Sequence, residues 1–237
     1  MASTIILRRR ITSIKNTRQI TQAQQLVAAS KLRRAQEYAS RSRAYADLAD
    51  ELLANLSGLR EVEQQPLFAK RPVQSRLYIV ITSNSGLAGA YNANVLKELT
   101  TSIMADREAK ISSIVTTVGN KGSQFVRRLS GVELSAAYPA FGDQPTANDL
   151  RPLLSRVVEQ YKQAEIDEVR VLYTRFISTM TQHAEDQQLL PARAPEQNIE
   201  LPSFSNFEPD VETVIDQIGF RLIEAELWQA VLESVAS

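Results

Sequence analysis

The sequence predicts an α/β protein in which a long antiparallel coiled coil of N- and C-terminal helices flanks a small α/β domain. Three observations lead to this prediction. A seven-residue repeat runs from Thr4 to Leu56, a second one returns from Val211 to Ala236, and β-rich apolar runs alternate with helical periodicity between them. Helices at the two ends of a chain can return to each other around a globular insert and bury their apolar stripes as a pair.

Residues 1–57 are expected to form one uninterrupted coiled-coil helix. The repeat advances in alternating steps of three and four residues, and no Gly or Pro occurs before Gly58. A period of 3.5 residues kept over this length is typical of a helix that supercoils with a partner. At 1.5 Å per residue the helix would be roughly 80 Å long. A rod of these dimensions indicates a mechanical or assembly element.

Residues 75–205 are expected to form a small Rossmann-like α/β domain. The apolar runs suited to buried strands are Arg76–Thr82, Ile111–Val118 and Val169–Ile177, and Thr179–Leu190 is expected to extend or pair with the last of them. Helical periodicity covers residues 92–109, 121–129 and 148–164. Strands separated by helices of this length predict a largely parallel sheet. Residues 57–75 and the proline-rich stretch 191–202 are expected to be linkers.

Residues 209–237 are expected to form the C-terminal coiled-coil helix, with Pro209 as its first residue. The helix would be roughly 40 Å long, about half the length of the first. Antiparallel pairing would place it against residue 56 down to about residue 29, with Ala35, Ala39, Ala46 and Ala49 facing it. Residues 1–28 would then have no partner within this chain.

Charge is distributed very unevenly along the sequence. The whole chain sums to zero, but residues 1–36 contain eight Lys and Arg residues and no Asp or Glu, so this segment carries +8 and the remainder −8. A basic rod indicates a partner with an acidic surface: a protein, a nucleic acid or a membrane. Residues 1–37 contain no aromatic side chain and their charges spread around the helix. This favours an acidic protein collar over a nucleic acid.

The composition excludes several kinds of chemistry. The chain has no Cys and a single His, His183, so thiolate sites, His-based metal sites and catalytic triads are not expected. Ser83–Asn92 and Gly119–Gly122 lie where phosphate-binding loops occur, but neither has the spacing of a dinucleotide fingerprint or a P-loop. We interpret both as structural turns and expect no cofactor. The basic N-terminus also has the composition of a transit peptide, but the heptad register continues through it.

The stretch Ile11–Gln36 resembles the N-terminal helix of the gamma subunit of F-type ATP synthases. The matches to that family's pattern are Ile11, Ser13, Ile14, Asn16, Thr17, Gln19, Ile20, Thr21, Ala23 and Val27–Leu32. Further matches in the family's order are Ser85–Leu87 with Gly89 and Tyr91–Asn92, then Gly119–Gly122, Phe176–Gln182, Leu189–Pro191 and Phe207–Asp210. The resemblance covers essentially the whole chain.

The resemblance implies a rotor shaft that stands in a ring of alternating alpha and beta subunits, with its foot on epsilon and the membrane ring of c subunits. Rotation of its asymmetric surface would drive the catalytic beta subunits and couple proton flow to ATP synthesis. The coupled ion would be the proton or, as an alternative, sodium. The shaft itself would be non-catalytic, bind no nucleotide or nucleic acid, and lie peripherally at the cytoplasmic face of a bacterial plasma membrane. Ring contacts are implied for Arg8, Arg9, Lys15, Arg18, Gln19, Thr21, Lys31, Arg33, Arg34, Ser85 and Gly86. Contacts of the foot are implied for Phe207, Glu208 and Asp210.

Two departures from the family pattern stand out. The turn reads Asn84-Ser85-Gly86-Leu87-Ala88, without the usual Asp-Arg before the glycine and with Ala in place of Cys. Family members also continue for several tens of residues beyond the position of Ser237, so we expect either a fragment or a shaft with a shortened tip. Two rival hypotheses remain: a free-standing α/β nucleotide-binding protein, and a basic coiled-coil scaffold that binds nucleic acid.

Overall fold

The structure, a computed structural model, describes residues 4–56, 65–142, 145–178, 180–193 and 211–237, and for residues 36–56 it describes the backbone. Helices and strands alternate through these ranges. In chain order they are α1 (Thr4–Leu56), β1 (Ser75–Ile81), α2 (Tyr91–Ala109), β2 (Ser112–Val118), α3 (Asn120–Val126), β3 (Glu133–Tyr138), α4 (Ala147–Lys162), β4 (Glu168–Phe176), β5 (Gln182–Leu190) and α5 (Val211–Ala236).

The strands form one sheet in the order β3-β2-β1-β4-β5. The pairs β1–β2, β1–β4 and β2–β3 are parallel, whereas β5 runs antiparallel to β4. Because side chains alternate along a strand, β1 supplies both faces of the sheet. Leu77, Ile79 and Ile81 pack in the core beneath α4 and α5, while Tyr78 and Val80 pack beneath α2 and α3. The predicted α/β class with a largely parallel sheet is confirmed.

The two terminal helices pack against each other in antiparallel fashion. Lys31, near the middle of α1, borders the same cleft as Ser234 and Ser237 at the end of α5. At the other end of α5, Gly219 lies against the segment that follows α1. In the predicted seam, Ala35 is 2% exposed, and the side chains of Ala39, Ala46 and Ala49 lie outside the described residues. The expected antiparallel pair is therefore present, and α1 extends beyond the end of α5.

Part of the segment predicted to be a linker belongs to the core. Leu67 and Phe68 are buried and join the cluster beneath α4 and α5. A Cβ on Gly219 would come within 3.0 Å of the Phe68 ring, so the glycine allows the segment to approach α5 closely. Burying each of these side chains contributes on the order of 1.5–3 kcal/mol. The sequence prediction missed this contact because the neighbouring Pro66 and Pro72 indicated a loop.

The other differences from prediction lie at the sheet edge and the element ends. Strand β3 was not predicted: it reads Glu-Leu-Ser-Ala-Ala-Tyr, has no β-branched residue and pairs with β2 alone among the described strands. The helix predicted from residue 121 to 129 ends at Val126. The segment 179–190 does pair with β4, as the strand β5. The predicted helix start at Pro209 lies outside the described residues.

A buried ionic network fastens α2 to the sheet. Arg76 on β1 pairs with both Asp106 of α2 and Glu168 of β4. The hydroxyls of Tyr78 and Ser113 also donate to Asp106, at 2.7 and 2.9 Å. Burial, followed by the hydrogen bond to Asp106, raises the pKa of Tyr78. Since loss of one partner would leave a buried charge uncompensated, the network fixes the position of α2 on the sheet.

Candidate partner-binding surface

The N-terminal part of α1 presents its side chains to solvent. Every residue from Thr4 to Arg34 is exposed except Leu32, which is half-buried. The exposed set includes large apolar side chains; Ile14 is 68% and Leu26 is 74% exposed. A helix with an apolar face and no acidic residue, left uncovered over about thirty positions, lacks the tertiary packing that normally stabilises helices. This part of α1 therefore presents basic and apolar side chains together at its surface.

One face of this region forms a shallow apolar groove of about 490 Å³. Its lining residues are Ile20, Ala23, Gln24, Val27, Ala28 and Lys31, which recur at the three- and four-residue spacing of one helix face. The hydroxyls of Thr17 and Thr21 donate to carbonyls one turn earlier, at 3.0 and 2.9 Å, so they are satisfied within the helix. The groove continues the seam that α5 occupies farther along α1.

A second exposed feature is the glycine turn, which we define as residues 83–92 between β1 and α2. Its ends are held together because the backbone N–H of Ser83 donates to Asn92 Oδ1 at 2.9 Å and Asn92 Nδ2 donates back to Ser83 Oγ at 2.8 Å. Between these ends, Ser85 and Gly86 are exposed and Leu87 is 97% exposed. The turn therefore projects from the carboxyl edge of the sheet.

The glycine turn borders a cleft of about 610 Å³ at the carboxyl ends of β1 and β2, the usual ligand site of open α/β sheets. Polar groups in its wall bond to one another. The N–H of Gly122 donates to Thr82 Oγ1 at 2.9 Å, and the hydroxyls of Tyr91 and Ser234 lie 2.8 Å apart. Burial raises the pKa of Tyr91, so that its hydroxyl stays protonated. In a phosphate-binding loop the backbone N–H groups point at the ligand, whereas here the N–H of Gly122 is bonded to Thr82.

The predicted ring-contacting residues fall into two groups in the structure. Those on α1 are Arg8, Arg9, Lys15, Arg18, Gln19, Thr21, Lys31, Arg33 and Arg34, and all are exposed. Ser85 and Gly86 lie on the glycine turn, and the cleft brings Ser85 and Lys31 to one surface. Phe207, Glu208 and Asp210, predicted for the foot, lie outside the described residues. The single histidine, His183, is exposed on β5.

Sequence reasoning missed two exposed apolar positions at this edge. Leu87 adopts a left-handed backbone conformation with φ of 66°. Met180, in the turn between β4 and β5, is 94% exposed, and its backbone N–H donates to Ser178 Oγ at 3.3 Å. In the sequence, both residues belong to short motifs, Ser83–Asn92 and Phe176–Gln182. Hydrophobic periodicity could not reveal their exposure because neither lies in a regular element.

Two features are absent from the described residues. No group of His, Cys, Asp and Glu side chains there could hold a metal ion. Within the same ranges, no helix combines the length and the apolar character that crossing a membrane requires.

Comparison with known proteins agrees with the architecture. The family model described as ATP synthase matches residues 3–237. The ATP synthase gamma chains of Psychrobacter arcticus and Acidithiobacillus ferrooxidans are 38% and 37% identical to this chain, and each alignment covers all of this chain and 83% of the relative. Among solved structures, the central stalk and c-ring of Tetrahymena thermophila mitochondrial ATP synthase contains a chain with a TM-score of 0.72 and 23% identity, covering 92% of this chain and 93% of that one.

These matches extend over the helical rod, the α/β domain and the returning helix alike. The structural match shows a shared fold, while the sequence matches, above 30% identity over the full chain, show common descent. The chain therefore belongs to the gamma-chain family of ATP synthases.

Proposed function

We propose that this chain is the central-stalk subunit of an F-type ATP synthase, a non-catalytic shaft that transmits rotation between a membrane ring and a catalytic ring. The observation that carries the proposal is the basic segment at the start of α1, in which every Lys and Arg side chain from Arg8 to Arg34 is exposed. Residues 1–36 carry +8 with no acidic residue. Such a rod is complementary to a cavity lined by acidic and apolar side chains.

A shaft must move as one body with its foot, and the packing of α5 supports this. The helix contacts α1 on one side and β4 and β5 on the other. Its C-terminal end is fastened at two further points: Ser234 bonds to Tyr91, and Ser237 Oγ donates to the Thr174 carbonyl at 3.2 Å. Because close-packed protein cores resist deformation, a torque on α1 would pass through α5 to the sheet.

We propose the following assembly. Alpha and beta subunits surround the N-terminal part of α1 and meet the glycine turn, while epsilon and the c-subunit ring bind Phe207, Glu208 and Asp210. The chain would then be held peripherally at the cytoplasmic face of a bacterial plasma membrane. Proton-driven rotation of the c ring would turn the shaft, and the uneven surface of α1 would drive the beta subunits through their conformations. Domain limits of 1–57, 75–205 and 209–237 fit these roles.

The test is assembly with purified alpha and beta subunits. The unaltered chain should co-elute with the ring, and the complex should hydrolyse ATP in a way that depends on the chain. Replacing Arg8 and Arg9 by Glu should weaken ring binding by more than tenfold at low salt. The matched control replaces Arg127 and Arg128 by Glu, since these are also adjacent and exposed but lie after α3. Equal losses in both pairs, or no assembly by the unaltered chain, would contradict the proposal.

Binding measurements on the same purified chain distinguish the two rival hypotheses. A free-standing nucleotide-binding protein would retain ATP in the absence of the ring. A nucleic-acid scaffold would bind duplex DNA with a steep dependence on salt concentration.

A further inference from the structure

The glycine turn makes hydrogen bonds to segments other than the strand and the helix that flank it. Asn84, the second residue of the turn, bonds to two other segments at the carboxyl edge of the sheet. Its Oδ1 accepts the N–H of Ala140 at 2.9 Å and the N–H of Asn120 at 3.3 Å, and its Nδ2 donates to the Ala140 carbonyl at 3.4 Å. One exposed side chain thus ties the loop after β1 to the first residue of α3 and to the loop after β3.

The neighbouring residue supplies a second set of attachments. Ser83 is paired with Asn92 at the base of the turn, and its Oγ donates to the Ser85 carbonyl at 2.6 Å. Its own carbonyl accepts the N–H of Lys121 at 3.1 Å. The turn is therefore closed at its base and braced from two sides.

The turn includes a residue whose backbone conformation is unfavourable on local grounds. Leu87 has φ of 66° and is 97% exposed, although left-handed backbone is costly for a residue with a Cβ and exposure leaves its side chain without packing. A flexible loop would relax from this state. Backbone strain persists where surrounding contacts impose it, and such positions cluster at sites of binding.

We infer that Asn84 is a positioning residue, which holds the glycine turn in the single conformation that meets the subunit ring. This inference rests on the proposed function, because Ser85 and Gly86 on the turn are proposed ring contacts. The physical role is preorganisation: if the turn populates its binding conformation for a fraction of the time, the apparent affinity falls by that fraction. A turn held by these hydrogen bonds also deforms less under force from the ring.

The test measures ring binding by the full chain and its Asn84→Ala variant. We expect the affinity for the alpha–beta ring to fall roughly fivefold, the equilibrium equivalent of one typical hydrogen bond. Amide exchange from Ser85 to Ala90 should accelerate in the free variant, while its thermal unfolding remains cooperative. Asn84→Asp keeps the accepting oxygen and should restore most of the affinity. Asn94→Ala makes the same replacement at an exposed position of α2 and should bind like the unaltered chain.

The possible results distinguish a failure of this inference from a failure of the proposed function. Failure of the unaltered chain to bind the ring would overturn both. Normal binding by Asn84→Ala, or equal weakening by Asn84→Ala and Asn84→Asp, would overturn the role of Asn84 while leaving the shaft function in place. Equal weakening by Asn94→Ala would also overturn it.

Discussion

Replacement of Ala35 by Leu examines the close approach of the two terminal helices. Ala35 is 2% exposed within α1, in the seam that packs against α5. Leu would add three carbon atoms at a position that is almost fully enclosed, and overpacking of a buried site costs about 1–3 kcal/mol. In a chain of 237 residues, each kcal/mol lowers the melting temperature by roughly 2–4 °C, so we expect a decrease of about 2–12 °C.

The matched control is Ala29→Leu, six residues earlier on the same helix and exposed. Ala and Leu have similar helix propensities, so the two variants differ in packing and not in intrinsic helix stability. Thermal unfolding of the free chain, followed by circular dichroism, should show a lowered melting temperature for Ala35→Leu and little change for Ala29→Leu. Equal melting temperatures for the two variants would refute the assigned seam, since Leu at position 35 would then have been accommodated at a surface.

Three further predictions concern the free chain. Hydrogen exchange should be fast in residues 1–28 and slow in residues 32–53, because α5 packs along the second range. Equal protection of the two ranges would reveal an additional partner, most simply a second copy of the chain. Calorimetry with magnesium and ATP should detect neither binding nor hydrolysis, and micromolar affinity would contradict the interpretation of the glycine turn. Burial opposes ionisation of Asp167, but N–H bonds from Gln74 and Ser75 outweigh it and lower its pKa. The stabilisation from ionised Asp167 is therefore complete above the unfolded pKa of about 3.9 and is lost as pH falls through the lower folded value. Between about pH 6 and pH 2 the Asp167→Asn variant should lose less free energy of unfolding than the unaltered chain. Equal losses of unfolding free energy in the two proteins would contradict this.

Elements with strong local signals were predictable from the sequence. The helix α1 was evident because its heptads run without a Gly or Pro, and β1 because residues 77–81 are continuously apolar, as a strand buried on both faces must be. The exposure of residues 4–28 agrees with the expectation, from the two helix lengths, that residues 1–28 have no partner within this chain. The candidate contact residues on α1 followed from charge and from family resemblance.

Features that depend on distant contacts could not be predicted in this way. Strand β3 has weak intrinsic preference and is ordered by its pairing with β2. Leu67 looked like a loop residue, yet it is fully buried against α5. Asn84 carries no local signal of its role, since its partners Asn120 and Ala140 lie 36 and 56 residues away.

The sequence by itself determined the rod, its basic charge, the α/β class and the family, because periodicity, composition and motif order are properties of the chain. Tertiary structure decided how the glycine turn is braced, which loop residues enter the core, and how α5 joins the rod to the sheet. The physical reason is the range of the interactions. Backbone periodicity acts within a few residues, whereas packing and hydrogen bonding join groups that become neighbours only after the chain has folded.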